Sequence, residues 1–381
     1  MKRVPFNEPL LLPEFPDLLK KCFANKHLSG LGPLSRLCEE ELHKITRAKT
    51  LLTTSATSSL EMMALLLGVS SGDEIILPSF TFVSTANAFA LRGAILKFGD
   101  NDEFGNLLPS EVERLATART KAVVAVHYAG ASADMDRLQE ICRHKKITLL
   151  EDAAQAIGSK FKKQSLGTMG ALGCFSFHET KNVGCGEGGS LLVNDSEVYL
   201  ERAEFIREKG TNRRKFVEGF ADKYSWVDIG SSYVLSELNA CLLHPQLVRL
   251  EEISKKRKQL WQNYEAALMA PFAHIGADTL KVPAHNESNF HIFAVIFRSL
   301  EIRRSFIQFM QSRGITTPFH YVSLHTSPYG SKYFDASSEP RLRNCERLSD
   351  GLVRLPLFYN LEDTDQNYVT EAALEWCRGQ K

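Results

Sequence analysis

The chain has 381 residues, 44% hydrophobic and 24% charged, enough for a large core and, by length, two domains. Lysine plus arginine (46) balances aspartate plus glutamate (45) to a net charge of +1, which excludes a global field for holding nucleic acid or a membrane surface. No apolar run approaches the roughly 18 residues that span a bilayer, the basic start Met1-Lys2-Arg3 lacks the apolar core of a signal peptide, and the eight scattered cysteines show no metal or disulfide spacing. These features predict a cytoplasmic enzyme with buried, reduced thiols and no metal site.

In chain order, Thr53-Thr54-Ser55-Ala56-Thr57-Ser58-Ser59-Leu60 is a run of small hydroxylated residues entering an apolar helix over residues 58–67. It reads either as a cradle for a phosphate at a helix N-terminus or as a plain Ser/Thr cap. Apolar runs at 74–77, 94–98, 122–126, 147–150, 174–177 and 190–193 read as strands, with a helix at 134–145 among them. Such alternation predicts an α/β fold, a mostly parallel sheet flanked by helices. Phe80 and Phe82 follow one strand and offer an aromatic face to a ligand or to the core.

Beyond about residue 236 the pattern changes. A long charged helix is expected over 246–268, then a strand over 290–297 and a helix over 303–313. The expected division is a large cofactor-binding domain, 1–245, that includes the N-terminal segment, and a small C-terminal α+β domain, 246–381.

The chemistry concentrates where two strands end. Glu151-Asp152-Ala153-Ala154-Gln155 and Gly173-Cys174-Phe175-Ser176-Phe177-His178-Glu179-Thr180-Lys181 each turn from apolar to polar at the strand's carboxyl end, the place where open α/β sheets hold ligands. Alone, Asp152 reads as a helix cap and Lys181 as surface charge. Together, a carboxylate and an amine at neighbouring strand ends match the needs of pyridoxal 5′-phosphate: one keeps a pyridine nitrogen protonated, the other binds the aldehyde and moves protons. Gln155 lies one turn beyond Asp152, Ser176 adds a hydroxyl, and the glycines of 184–189 let the backbone turn back beneath a cofactor.

These segments, in this order, resemble the DegT/DnrJ/EryC1/StrS family of sugar-nucleotide aminotransferases, within fold type I of the pyridoxal phosphate enzymes. The resemblance runs from Pro5-Phe6-Asn7 to Leu355-Pro356-Leu357-Phe358-Tyr359. It implies that Lys181 is the catalytic, cofactor-bearing lysine, Asp152 the partner of the pyridine nitrogen, Gln155 a contact to the ring hydroxyl and Phe82 the stacking aromatic. Ala56, Thr57 and Ser176 match phosphate contacts. The resemblance also implies a homodimer with shared sites, in which Ser232 and the turn holding Lys209 and Arg213 cross to the partner. Members commonly carry asparagine where this chain has Ser232, so that contact becomes a shorter hydroxyl.

Val126-His127-Tyr128-Ala129-Gly130 and Phe319-His320-Tyr321 resemble members that aminate C4 of a dTDP-linked 4-keto-6-deoxy sugar with L-glutamate as donor. His178, Lys209, Arg213, His320 and Tyr321 are the substrate contacts so implied, whereas His127 and His325 read as structural histidines. Amination to the other C4 configuration or at C3 stays open, as does a non-catalytic cofactor-binding role. The family's dehydratases carry histidine at the position of Lys181, which argues against that chemistry here.

Overall fold

The computed structural model describes residues 2–217, 219 and 222–380. Strands β1 (Lys49–Thr53), β2 (Glu74–Pro78), β3 (Ile95–Gly99), β4 (Thr120–Val126), β5 (Thr148–Asp152), β6 (Leu172–Ser176) and β7 (Gly189–Val193) form one sheet in the order β1-β7-β6-β5-β4-β2-β3. From β3 through β6 every pairing is parallel; β7 runs antiparallel to both of its neighbours.

Side-chain alternation splits the strand residues between two cores. Val124, Leu150 and Leu191 enter one with Leu60 and Met63 of the helix Ala56–Leu66. Val123, Leu149 and Leu192 enter the other with Leu138 and Ile141 of the helix Met135–Lys145. A strand buried on both faces must be apolar at consecutive positions, which is why these strands read as unbroken apolar runs. The expected mostly parallel sheet with flanking helices is therefore present.

A second, antiparallel sheet follows, with β8 (Asp278–Thr279), β9 (Phe293–Ile296) and β10 (Leu352–Leu355) in that order. It packs on the helices Leu250–His274, Leu300–Ser312 and Asp363–Arg378 through a core rich in aromatics, among them Trp261, Tyr264, Phe272, Phe306 and Trp376. Val4 joins this core, pairing with Ile315 and donating its N–H to Gly314 O at 3.0 Å.

Three expectations need correction. The helix expected over 246–268 is two helices, Glu237–Val248 and Leu250–His274, broken at Arg249 (φ −99°, ψ 17°). Pro245 sits inside the first helix and not at the break, so no breaker residue marks the joint. The strand expected over 290–297 is confined to Phe293–Ile296, because Phe290 adopts a left-handed φ of 52°. β1 was not anticipated at all: Lys49–Thr53 is short and owes its place to pairing with β7. All eight cysteines are free and buried. Among the described residues no helix is long and apolar enough to cross a membrane, and no cluster of His, Cys, Asp and Glu is arranged to hold a metal.

Candidate active site

β4, β5 and β6 are adjacent and parallel, so their carboxyl ends open on one side of the sheet. Asp152 ends β5. Thr85 Oγ1 donates to its Oδ2 at 2.7 Å and the Ala154 N–H to its Oδ1 at 3.1 Å. The preceding Glu151 points to the opposite face, as strand alternation requires. Its fully buried carboxylate accepts from His127 Nε2 (2.8 Å) and from the N–H groups of Gly167 (2.7 Å), Met169 (2.5 Å) and Gly170 (2.5 Å). That cluster clamps the end of β5 and makes His127 structural, as expected.

Lys181 lies in the loop after β6. The loop folds back as a hairpin, with Phe177 N–H donating to Gly188 O (2.8 Å) and Glu179 N–H to Gly186 O (2.9 Å), and it turns at Gly186 (φ 83°). Burial pushes the Lys181 amine down to about 8; Asp152 opposes the drop and Arg354 adds to it. The neighbouring Asn182 is tied to the segment just before β9: its Nδ2 donates to Asn289 O (2.8 Å), and its Oδ1 lies 2.8 Å from His291 Nδ1. Asn7 Nδ2 donates to Glu179 O at 2.9 Å. Two distant parts of the chain, the N-terminal segment and residues 289–291, thus fix this loop.

At the other end of the cavity, Ser55 caps the helix Ala56–Leu66, accepting the Ser58 N–H at 3.0 Å. Capping and phosphate binding are not rivals here, because first-turn N–H groups at Ala56 and Thr57 have no intrahelical acceptor. A Cβ on Gly189 would lie 2.3 Å from Ser55 C and 2.4 Å from Ala56 N. Only glycine lets β7 support this turn so closely.

Phe82, 54% exposed, precedes the helix Val83–Ala90, and its ring lies 5.8 Å from that of Tyr321. Gln155 Oε1 accepts the Ala129 N–H at 2.7 Å, which turns Nε2 toward Tyr321 OH at 2.9 Å. Tyr321 stacks on His320, with centroids 4.1 Å apart, and Tyr128 OH lies 3.0 Å from His320 Nδ1. Burial, reinforced by Arg354 and Lys181, holds the His320 imidazole well below its ordinary value. His178 is partly exposed, its Nδ1 2.9 Å from Thr180 Oγ1.

One cavity of about 490 Å³ is lined by Ala56, Thr57, Phe82, Asp152, Gln155, Ser176, His178, Lys181, His320 and Tyr321. The amine, carboxylate, aromatic face and free helix end that pyridoxal phosphate requires are all present, so the residues fit that group. Several lining residues were not singled out as site residues in the sequence, among them Ser84, Arg354 and, beyond its place in the N-terminal motif, Phe6; the guanidinium lies 4.2 Å from the centroid of the Phe6 ring.

Lys209, Arg213 and Ser232 do not line that cavity. Ser232 is exposed and pairs with Glu208. Lys209 and Arg213 border a separate hollow of about 460 Å³ with Glu208, Thr211, Phe216 and Tyr224. Trp226 nearby is 82% exposed. His325 is buried against Ser79 Oγ at 2.6 Å and is structural.

The chain was compared with known proteins. A model of the DegT/DnrJ/EryC1/StrS aminotransferase family matches residues 12–374. The aminotransferase TlmJ from Streptoalloteichus hindustanus is 28% identical with a TM-score of 0.90, over 100% of both chains. Helicobacter pylori PseC, an aminotransferase involved in the biosynthesis of pseudoaminic acid, is 25% identical with a TM-score of 0.89, over 99% of this chain and 100% of its own. Spr1654 from Streptococcus pneumoniae, in its PLP form, is 24% identical with a TM-score of 0.89 over 100% of both chains, a likeness of fold.

Proposed function

The chain belongs to the DegT/DnrJ/EryC1/StrS aminotransferase family, and from that premise we propose that it transfers the amino group of L-glutamate to C4 of dTDP-4-dehydro-6-deoxy-D-glucose. The products are dTDP-4-amino-4,6-dideoxy-D-galactose and 2-oxoglutarate. The observation that carries the reading is a buried lysine, Lys181, with an amine pushed down to about 8, lining one cavity with Asp152. The sugar is inferred from the resemblance of the segments around His127, Lys181 and His320 to enzymes of that specificity. A cytoplasmic enzyme making this amino sugar would supply a cell-surface polysaccharide, of the enterobacterial common antigen or lipopolysaccharide kind.

Pyridoxal 5′-phosphate, when bound, supplies a ring that draws off the negative charge developing on a carbon that loses its proton. Asp152, oriented by Thr85 and the Ala154 N–H, holds the proton on the ring nitrogen. Ser176 and the first-turn N–H groups of Ala56 and Thr57 hold the phosphate, Phe82 covers a ring face, and Gln155 Nε2 meets the ring hydroxyl. Lys181 Nζ takes the proton from the α-carbon of the donor and, in the second half-reaction, returns one to C4 of the sugar. His178, His320 and Tyr321 orient that sugar. In a homodimer the partner subunit's Lys209, Arg213 and Ser232 reach the nucleotide's phosphates and the cofactor phosphate, which gives these residues a role although they lie outside the cavity of their own chain. The division at residue 245 belongs to the same proposal, the 246–381 part carrying His320 and Tyr321 to the site.

The test is incubation of the protein with pyridoxal phosphate, L-glutamate and dTDP-4-dehydro-6-deoxy-D-glucose, with the product assigned by NMR. An axial C4 amine is expected. An equatorial one moves the enzyme to the 4-amino-4,6-dideoxyglucose (viosamine) product, and a 3-amino sugar from the isomeric 3-keto substrate relocates the chemistry to C3.

A further inference from the structure

Lys181 and Arg354 are the two lysine or arginine side chains that line the main cavity among the described residues. Arg354 projects from the edge strand β10, and its Nη2 donates to Phe319 O at 3.1 Å. Its Nε is buried without any hydrogen-bond partner. No carboxylate pairs with it among the described residues; the ionisable groups that act on it are the hydroxyls of Tyr128 and Tyr321. A guanidinium drawn into a protein wall with no counter-ion is a costly arrangement unless an anion completes it. Guanidinium is also the side chain whose fork matches a carboxylate in two parallel hydrogen bonds.

We propose that Arg354 binds the α-carboxylate of the amino donor and so restricts the donor to α-amino acids. This rests on the aminotransferase reading above. In an α-amino acid the carboxylate is bonded to the carbon whose proton Lys181 removes, so its anchor must border the same cavity as Lys181, and Arg354 does. The rival anions are placed elsewhere by their chemistry. The cofactor phosphate belongs with the helix end at Ala56 and Thr57. The diphosphate of a nucleotide sugar is separated from the reacting C4 by the sugar ring.

The placement has a consequence for the base. The charge of Arg354 helps to depress Lys181, and a bound carboxylate offsets that charge. Lys181 therefore becomes more basic as the donor arrives, when a proton has to be taken from carbon.

The experiment is calorimetric titration of the pyridoxal phosphate-loaded protein, wild type, Arg354→Gln and Arg354→Lys, with 2-oxoglutarate and, separately, with thymidine diphosphate. Arg354→Gln is expected to weaken 2-oxoglutarate binding by about tenfold to a hundredfold, the worth of a lost charge-assisted hydrogen bond, and to leave thymidine diphosphate binding unchanged. The KM for L-glutamate should rise in parallel. Unchanged 2-oxoglutarate affinity overturns the proposal. So does a loss confined to thymidine diphosphate, or an equal loss of both ligands. If Arg354→Gln fails to fold, Arg354→Lys carries the test: it keeps the charge and loses the fork, so 2-oxoglutarate alone should bind more weakly. A wild type that binds 2-oxoglutarate through Arg354 yet aminates no dTDP sugar upholds this assignment and refutes the proposed substrate.

Discussion

Glu151 and Asp152 are neighbours in the chain and opposites in role. Strand alternation sends Glu151 into a closed shell of four donors on one face of the sheet and Asp152 into the cavity, where Thr85 and one backbone N–H hold it. The first carboxylate sets the position of the second. Replacing Glu151 by Gln puts an amide NH₂ against N–H donors, so stability should fall by about 2–4 kcal/mol. Urea denaturation measures this, and a change within experimental error would refute the clamp.

Lys181→Ala should retain the fold and lose turnover. Near-normal amination by this variant, assayed with L-glutamate and the keto sugar, would sink the assignment of Lys181.

The depressed Lys181 sets a pH dependence. Only the neutral amine attacks an aldehyde, and a lowered pKa means that this form appears at lower pH than in an ordinary lysine. Uptake of pyridoxal phosphate by the cofactor-free protein should therefore quicken as pH rises and level off above about 8, where a model-compound lysine would keep accelerating to about 10.4. Stopped-flow absorbance across pH 6–10, taken here as a range of about four units around that value, reads the midpoint directly. A midpoint near that of free lysine would contradict the burial of the amine.

Gly189→Ala tests the cradle. A methyl group 2.3 Å from Ser55 C must push the turn before the helix Ala56–Leu66 away from β7, at a cost of about 1–3 kcal/mol of overpacking. Cofactor affinity should fall about tenfold or more by fluorescence titration, with the Lys181 absorbance band intact once the cofactor is saturating. Unchanged affinity would mean that the turn does not hold the phosphate.

The shared-site proposal makes a prediction that a single chain could not meet. An inactive Lys181→Ala chain and an impaired Arg213→Ala chain should regain turnover when mixed and allowed to exchange subunits. Without recovery, the turn from Lys209 to Arg213 serves no partner's site.

The legibility of the sequence followed locality. Asp152, Gln155, Ser176 and Lys181 could be read because each sits within a few residues of a strand end, and the strand's apolar run announces where it ends. The strand Lys49–Thr53 could not, since five residues paired with a distant β7 leave little pattern of their own. The break at Arg249 was hidden because no glycine or proline marks it. Arg354 and Phe6 were missed for a related reason: what makes them part of the site is packing between the two ends of the chain, and neither residue type is unusual in its own segment. The resemblance supplied the roles of Phe82 and His320, which local pattern alone left undecided.

The N-terminal segment has a further consequence. Val4 pairs with Ile315, Phe6 meets Arg354, and Asn7 holds the loop of Lys181. A ribosome making this chain releases Val4 and Phe6 long before Ile315 and Arg354 exist, so these two contacts wait until almost the whole chain has emerged. The sheet can form earlier, because its strands lie within residues 49–193, but closing the site waits on contacts spanning more than three hundred residues, the kind that slow the last step of folding.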